Sequence, residues 1–189
     1  MKKIWIILGV SLVLVIMIFS WYKNGYNQAI AKDEEVKSGW AQVENQLQRR
    51  NDLIPNLVNT VKGFATHEKE VFTEVTRLRS QWGKSASIGS KIENANAMGG
   101  ALSRLLLVAE NYPQLKSNEN FLALQAQLEG TENRIAVERM RYNRAVKDFN
   151  RFQRLFFGRF FAAQAGVTEP AVYFEAEESA SKVPVIKFD

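Results

Sequence analysis

The stretch QRRNDLIPNLVNTVKGFATHEKEVFTEVTRLRSQW, Gln48 to Trp82, decides how the chain folds. Its apolar residues Leu57, Val61, Phe64, Val71, Val75, Leu78 and Trp82 fall at steps of three and four, with only Glu68 breaking the seam. That spacing belongs to a helix packed side by side with others at a shallow angle. Upstream, Tyr26, Val36, Trp40, Val43 and Leu47 repeat the pattern, interrupted by a polar Asp33, and predict an earlier helix. The polar cluster between the two seams predicts a turn, with Asn51 or Asp52 as N-cap and Pro55 tolerated in the first turn, where amides lack intrahelical partners.

Downstream signals complete the set. Gly83 can close the second helix, and Ser90 with Glu93 forms a capping-box pattern for a third. Pro113 disfavours helical geometry at Tyr112 and stops the third helix; Ser117 or Asn118 then caps a fourth that can run to about Ala163. Short connections between long helices predict antiparallel neighbours, an up-down-up-down four-helix bundle.

Ahead of the bundle, Ile4 to Tyr22 carries no charge and is dominated by Ile, Leu and Val. As a helix it spans roughly 28 Å, close to the hydrocarbon thickness of a bilayer. Trp5, Trp21 and Tyr22 stand near its ends, where amphipathic rings favour the interface, and Lys2, Lys3 and Lys23 bracket it. A cleaved signal would have a shorter apolar centre and a small-residue cleavage site, whereas this run ends in Phe-Ser-Trp-Tyr. The expectation is a retained single-pass anchor (1–23), a helical bundle (24–165) and an acidic extended tail (166–189). Lys and Arg nearly balance across the anchor. The short basic leader favours a cytoplasmic start and a domain outside the bacterial cytoplasmic membrane.

An up-down-up-down order brings the end of the fourth helix back to the bilayer. Between Arg134 and Arg159 there are eight basic and two acidic residues, interleaved near the end with phenylalanines. Phe149, Phe152 and Phe156 continue the core seam. Arg154, Phe157, Arg159, Phe160 and Phe161 are the candidate membrane-surface contacts, a composition suited to anionic headgroups.

Catalytic signatures are incomplete. His67-Glu-Lys-Glu-Val begins like a zinc-binding H-E-x-x-H, but Val71 occupies the second histidine position. Gly83-Lys84-Ser85 ends like a phosphate-binding loop, yet Leu78 stands where its first glycine belongs. With no cysteine and one histidine, thiolate metal sites and disulfides are excluded and zinc chemistry lacks ligands. His67 itself reads as a boundary residue hydrogen-bonded within the bundle. The expectation is no catalytic, cofactor or metal site. The arginines of the fourth helix spread around its cylinder and alternate with Glu138 and Asp148, so nucleic-acid binding is not expected.

Polar residues gather where the first helix meets the second. Helix capping accounts for Arg50 and Asp52, but asparagine inside a helix is unfavourable without a partner. Arg49, Arg50, Asp52, Asn56 and Asn59 are therefore the candidate partner-binding residues. The tail from Thr168 to Asp189 has five carboxylates against two lysines. Val183-Pro-Val-Ile-Lys-Phe within it suits an extended strand or a strap docked on the fourth helix or another protein.

The block QRRNDLIPNLVNTVKGFATHEKE (Gln48–Glu70) resembles the signature of the LemA family of bacterial membrane proteins. GALSRLLLVAENYPQLKSNENF (Gly100–Phe121), GTENRIAVERMRYNRAVKDFN (Gly130–Asn150) and YFEAEESASKVPVIKF (Tyr173–Phe188) are similar to it in the same order. The resemblance implies the same four-helix fold and an envelope role beside other membrane proteins. The family commonly has Phe-Pro where this chain has Phe156-Phe157, which predicts a fourth helix that continues further here. The function expected is a non-enzymatic docking or scaffold module whose partners are the bilayer and another membrane protein. The alternative is a membrane-remodelling protein that assembles with itself, since LemA-like proteins include relatives linked to magnetosome membranes.

Overall fold

A computed structural model describes residues 2–65 and 67–175, so the Val183–Phe188 strap lies outside the described residues. Among those described, the chain is helical and has no strand: α1 (Lys2–Lys62), α2 (Lys69–Trp82), α3 (Ile88–Glu110), α4 (Pro113–Lys116), α5 (Glu119–Arg154) and α6 (Phe156–Gln164). The chain forms two compact units, Met1–Trp40 with Arg141–Ala171 and Ala41–Met140 with Val172–Asp189.

α1 corrects the expected turn at Asn51 and Asp52. The helix runs without interruption from the apolar segment through Pro55 to Lys62. The reason lies in the seam. Val36, Trp40, Val43, Leu47, Arg50, Ile54, Leu57 and Val61 are all buried, at alternating steps of four and three. Arg50 occupies a seam position, so its charge hid the continuity. Burial of Ile54, Leu57, Val58 and Val61 offsets the roughly 3 kcal/mol that an interior proline costs.

The true break falls at 63–68, beside Glu68. It shifts the phase of the next helix: α2 buries Phe72, Val75, Leu78 and Trp82, whereas Val71 is only half-buried and Phe64 is exposed. His67 stands exposed in this connection rather than inside a bundle. α3 starts a turn earlier than expected. Its cap is Ser87, whose hydroxyl accepts from the Ser90 amide at 3.1 Å while Ser90 Oγ accepts from the Ser87 amide at 3.2 Å. Asn118 does cap α5, its Oδ1 accepting from the Phe121 amide at 3.1 Å.

In the second unit, Leu57, Phe72, Leu78, Met98, Leu105, Leu115, Phe121 and Leu128 share one core. Contacts give the local directions. Asn94 Nδ2 donates to the Leu78 carbonyl at 2.9 Å, near the α2–α3 connection, and Trp82 Nε1 donates to Gln48 Oε1 at 3.3 Å while Lys62 lies over the Phe72 ring. α2 thus packs beside both α3 and the end of α1. Residues 174 and 175 pack here too: Phe174 is buried under the Arg139 guanidinium, 4.4 Å from its ring centre, and Asn96 Nδ2 donates to the Glu175 carbonyl.

In the first unit, Gly39 lets the Tyr142 backbone approach α1, and the Tyr142 ring meets Trp40 edge-on at 5.5 Å. Burial raises the Tyr142 pKa above its ordinary value. The expected continuous fourth helix stops at Leu155, whose φ −73° and ψ 148° are extended, and α6 follows as a separate helix. α6 closes through Gly166 at φ 71°: the Val167 amide donates to the Ala162 carbonyl and the Gly166 amide to that of Ala163. This left-handed cap turns the chain back. Asn150 then exchanges two hydrogen bonds with Ala171, at 2.8 and 2.9 Å, and Gln153 Nε2 donates to the Val167 carbonyl at 2.7 Å. Residues 167–171 therefore lie along α5, held by amide side chains in place of a strand ladder.

Candidate functional site

Two surfaces emerge, one in each unit. In the second unit, Arg49, Asp52, Asn56 and Asn59 recur at steps of three and four on α1 and are all exposed, so they form one stripe. Gln48 orders its middle: it accepts from Trp82 Nε1 and donates to Asp52 Oδ1 at 2.9 Å. The side chains of Arg49, Asn56 and Asn59 make no hydrogen bond or ion pair among the described residues.

Arg50 does not join this stripe. It points inward, 3 % exposed, and donates to Glu132 Oε1 at 3.1 Å and to the Ala95 carbonyl at 2.9 Å. Burial pushes its pKa down from the ordinary value, and the Glu132 carboxylate pushes it back up. Asn51 is also buried, and neither atom of its side-chain amide finds a partner among the described residues. A polar layer thus crosses an otherwise apolar core, flanked by the Lys91–Glu44 ion pair. Spacing alone carried the signal for Arg50, which stands three residues after Leu47 and four before Ile54.

In the first unit, the phenylalanines divide differently from the expected grouping. Phe149 and Phe152 are buried, as the seam predicts, but Phe156 is 86 % exposed and Phe161 is only 3 % exposed. The break at Leu155 resets the helical phase and exchanges their roles. Phe161 lies on α1 where Gly25 leaves room; a Cβ there would stand 2.2 Å from its ring. Its ring meets Trp21 edge-on at 5.0 Å, and Phe157 meets Trp21 at 5.3 Å. Phe157 and Phe160 remain about half exposed, and Arg154 and Arg159 are exposed beside them. Ile4 to Phe19 is open to the surroundings, and among the described residues α1 alone is long and apolar enough to cross a membrane. Four of the five candidate membrane-contact residues therefore share an outward surface next to the end of that segment, and Phe161 is the pin that holds α6 there.

No group of three or more metal-ligating side chains occurs among the described residues. The LemA family model matches residues 39–188, most of the chain. The chain belongs to the LemA family. Among its relatives, Magnetosome protein MamQ 1 of Paramagnetospirillum magneticum is 26% identical over 167 residues, covering 75% of this chain and 61% of its own length. Magnetosome protein MamQ of Magnetospirillum gryphiswaldense is 25% identical over 171 residues, covering 77% of this chain and 63% of its own. Protein LemA of Metamycoplasma hominis is 21% identical over 140 residues, covering 73% and 64%. The chain thus spans less than two thirds of the length of these curated relatives. Membership and the exposed apolar segment of α1 together make this LemA-family chain a membrane-associated helical protein.

Proposed function

We propose that the protein is a non-enzymatic docking module of the bacterial cytoplasmic membrane, anchored by α1, whose Arg49–Asp52–Asn56–Asn59 stripe engages another integral membrane protein. The stripe carries this reading. Asparagine in a helix costs up to about 0.7 kcal/mol relative to alanine, and here two of them stand exposed without a bond among the described residues to offset it. Residues that give the helix nothing are explained by what they offer outward. Lys2 and Lys3 ahead of the apolar segment support a domain on the non-cytoplasmic side of that membrane.

Replacing Asn56 and Asn59 together by alanine should leave the thermal midpoint unchanged or slightly raised, since both sites gain helix propensity. Recovery of the partner from solubilised membranes should fall about tenfold, the loss expected when roughly 1.4 kcal/mol of contact is removed. A lowered midpoint with the partner still recovered would assign the asparagines a purely structural role.

The second reading is membrane assembly by self-association. The kinship with the magnetosome proteins and the apolar outer face of α6 favour it. The two readings differ in what touches the stripe: a different membrane protein, or a second copy.

A further inference from the structure

The docking reading leaves unused an open groove of about 1120 Å³ in the first unit, between the end of the apolar segment of α1 and α6. Val15, Ile18 and Phe19 form one wall, and Leu155 and Phe157 line the other. Arg154 and Arg159 also line it, and among the described residues no acidic residue does. One wall is the apolar segment itself, so the groove enters the bilayer wherever that segment does. Trp21 and Tyr22, also in its lining, mark the depth at which amphipathic rings meet headgroups.

This chemistry selects its occupant. A water-soluble anion would find the two guanidiniums but leave the apolar walls uncovered. A second copy of the chain would bring the same two arginines against these. A zwitterionic lipid would offer its phosphate but leave its ammonium without a carboxylate. An anionic diacyl phospholipid meets every part: an acyl chain on the apolar walls, and a phosphodiester accepting from two guanidiniums. We propose that this groove holds a single anionic phospholipid, its tail against Phe19 and Phe157 and its phosphate between Arg154 and Arg159. The proposal is independent of the docking stripe and stands or falls apart from it.

Native mass spectrometry of the full chain, released from bilayers of equal phosphatidylglycerol and phosphatidylcholine, tests it. The wild type should retain one phosphatidylglycerol in strong preference. The Arg154→Gln/Arg159→Gln variant should lose that preference by roughly thirtyfold, since each surface arginine contributes about fivefold. Arg134→Gln/Arg144→Gln, which removes two exposed arginines elsewhere on α5, should keep it. Ala163→Trp, filling the groove with both arginines in place, should reduce retention of either lipid. Equal retention of the two lipids by the wild type overturns the proposal. So does an unchanged preference in the Arg154/Arg159 variant, or unchanged retention in Ala163→Trp.

Discussion

Glu132→Ala should lower the unfolding free energy by about 2–3 kcal/mol, far more than loss of a surface ion pair. The asymmetry of the Arg50–Glu132 pair is the cause. The Arg50 side chain is 4 % exposed and that of Glu132 is 43 % exposed. Removing the carboxylate strands a guanidinium that cannot shed its proton in a core where Nε already lacks a partner among the described residues. Removing the guanidinium strands nothing, because Glu132 reaches water. Arg50→Met, which keeps most of the volume, should therefore cost less than about 1 kcal/mol. The double variant should recover most of what Glu132→Ala loses. Denaturant titration of the four chains gives the coupling energy, and strictly additive losses would show that the pair does not act as described.

Gly158→Ala should destabilise its helix, against the usual sign. In a helix interior this change ordinarily stabilises by about 1 kcal/mol. Here the added Cβ would lie 1.9 Å from the Phe152 carbonyl oxygen and 2.9 Å from its carbon, both backbone atoms fixed in the last turn of α5. α6 must move away, and Phe161 must leave its seat on Gly25. With overpacking costing about 1–3 kcal/mol, hydrogen exchange of the Arg159–Val167 amides should accelerate roughly 10- to 100-fold. Slower exchange, following propensity alone, would contradict this account of the break at Leu155.

Much of this was legible in the sequence. The apolar segment, the helical seams, the Asn118 cap and the outward position of Arg154, Phe157, Arg159 and Phe160 came from spacing, length and composition. The misleading signals have definite causes. Pro55 beside a polar cluster looked like a helix start because local capping chemistry says nothing of the tertiary seam that carries α1 through it. Arg50 looked like surface because its partners, Glu132 and Ala95, lie far away in sequence. Phe156 and Phe161 exchanged places because one extended residue resets the phase of every later position. The outward stripe of Arg49, Asp52, Asn56 and Asn59 was visible as composition, but its alignment on one face required α1 to continue past Asn51.

The stripe can be tested directly in living membranes. The chain has no cysteine, so Asn56→Cys supplies a single thiol for a short thiol-to-amine crosslinker applied to intact cells. The docking account predicts an adduct with a different integral membrane protein, formed from Asn56→Cys and not from Arg134→Cys. Capture by an impermeant reagent places the stripe outside, and capture by a permeant reagent alone reverses the orientation. An adduct with a second copy of the chain would move the function to self-assembly. Equal adducts from both positions, or none from Asn56→Cys with either reagent, would contradict it.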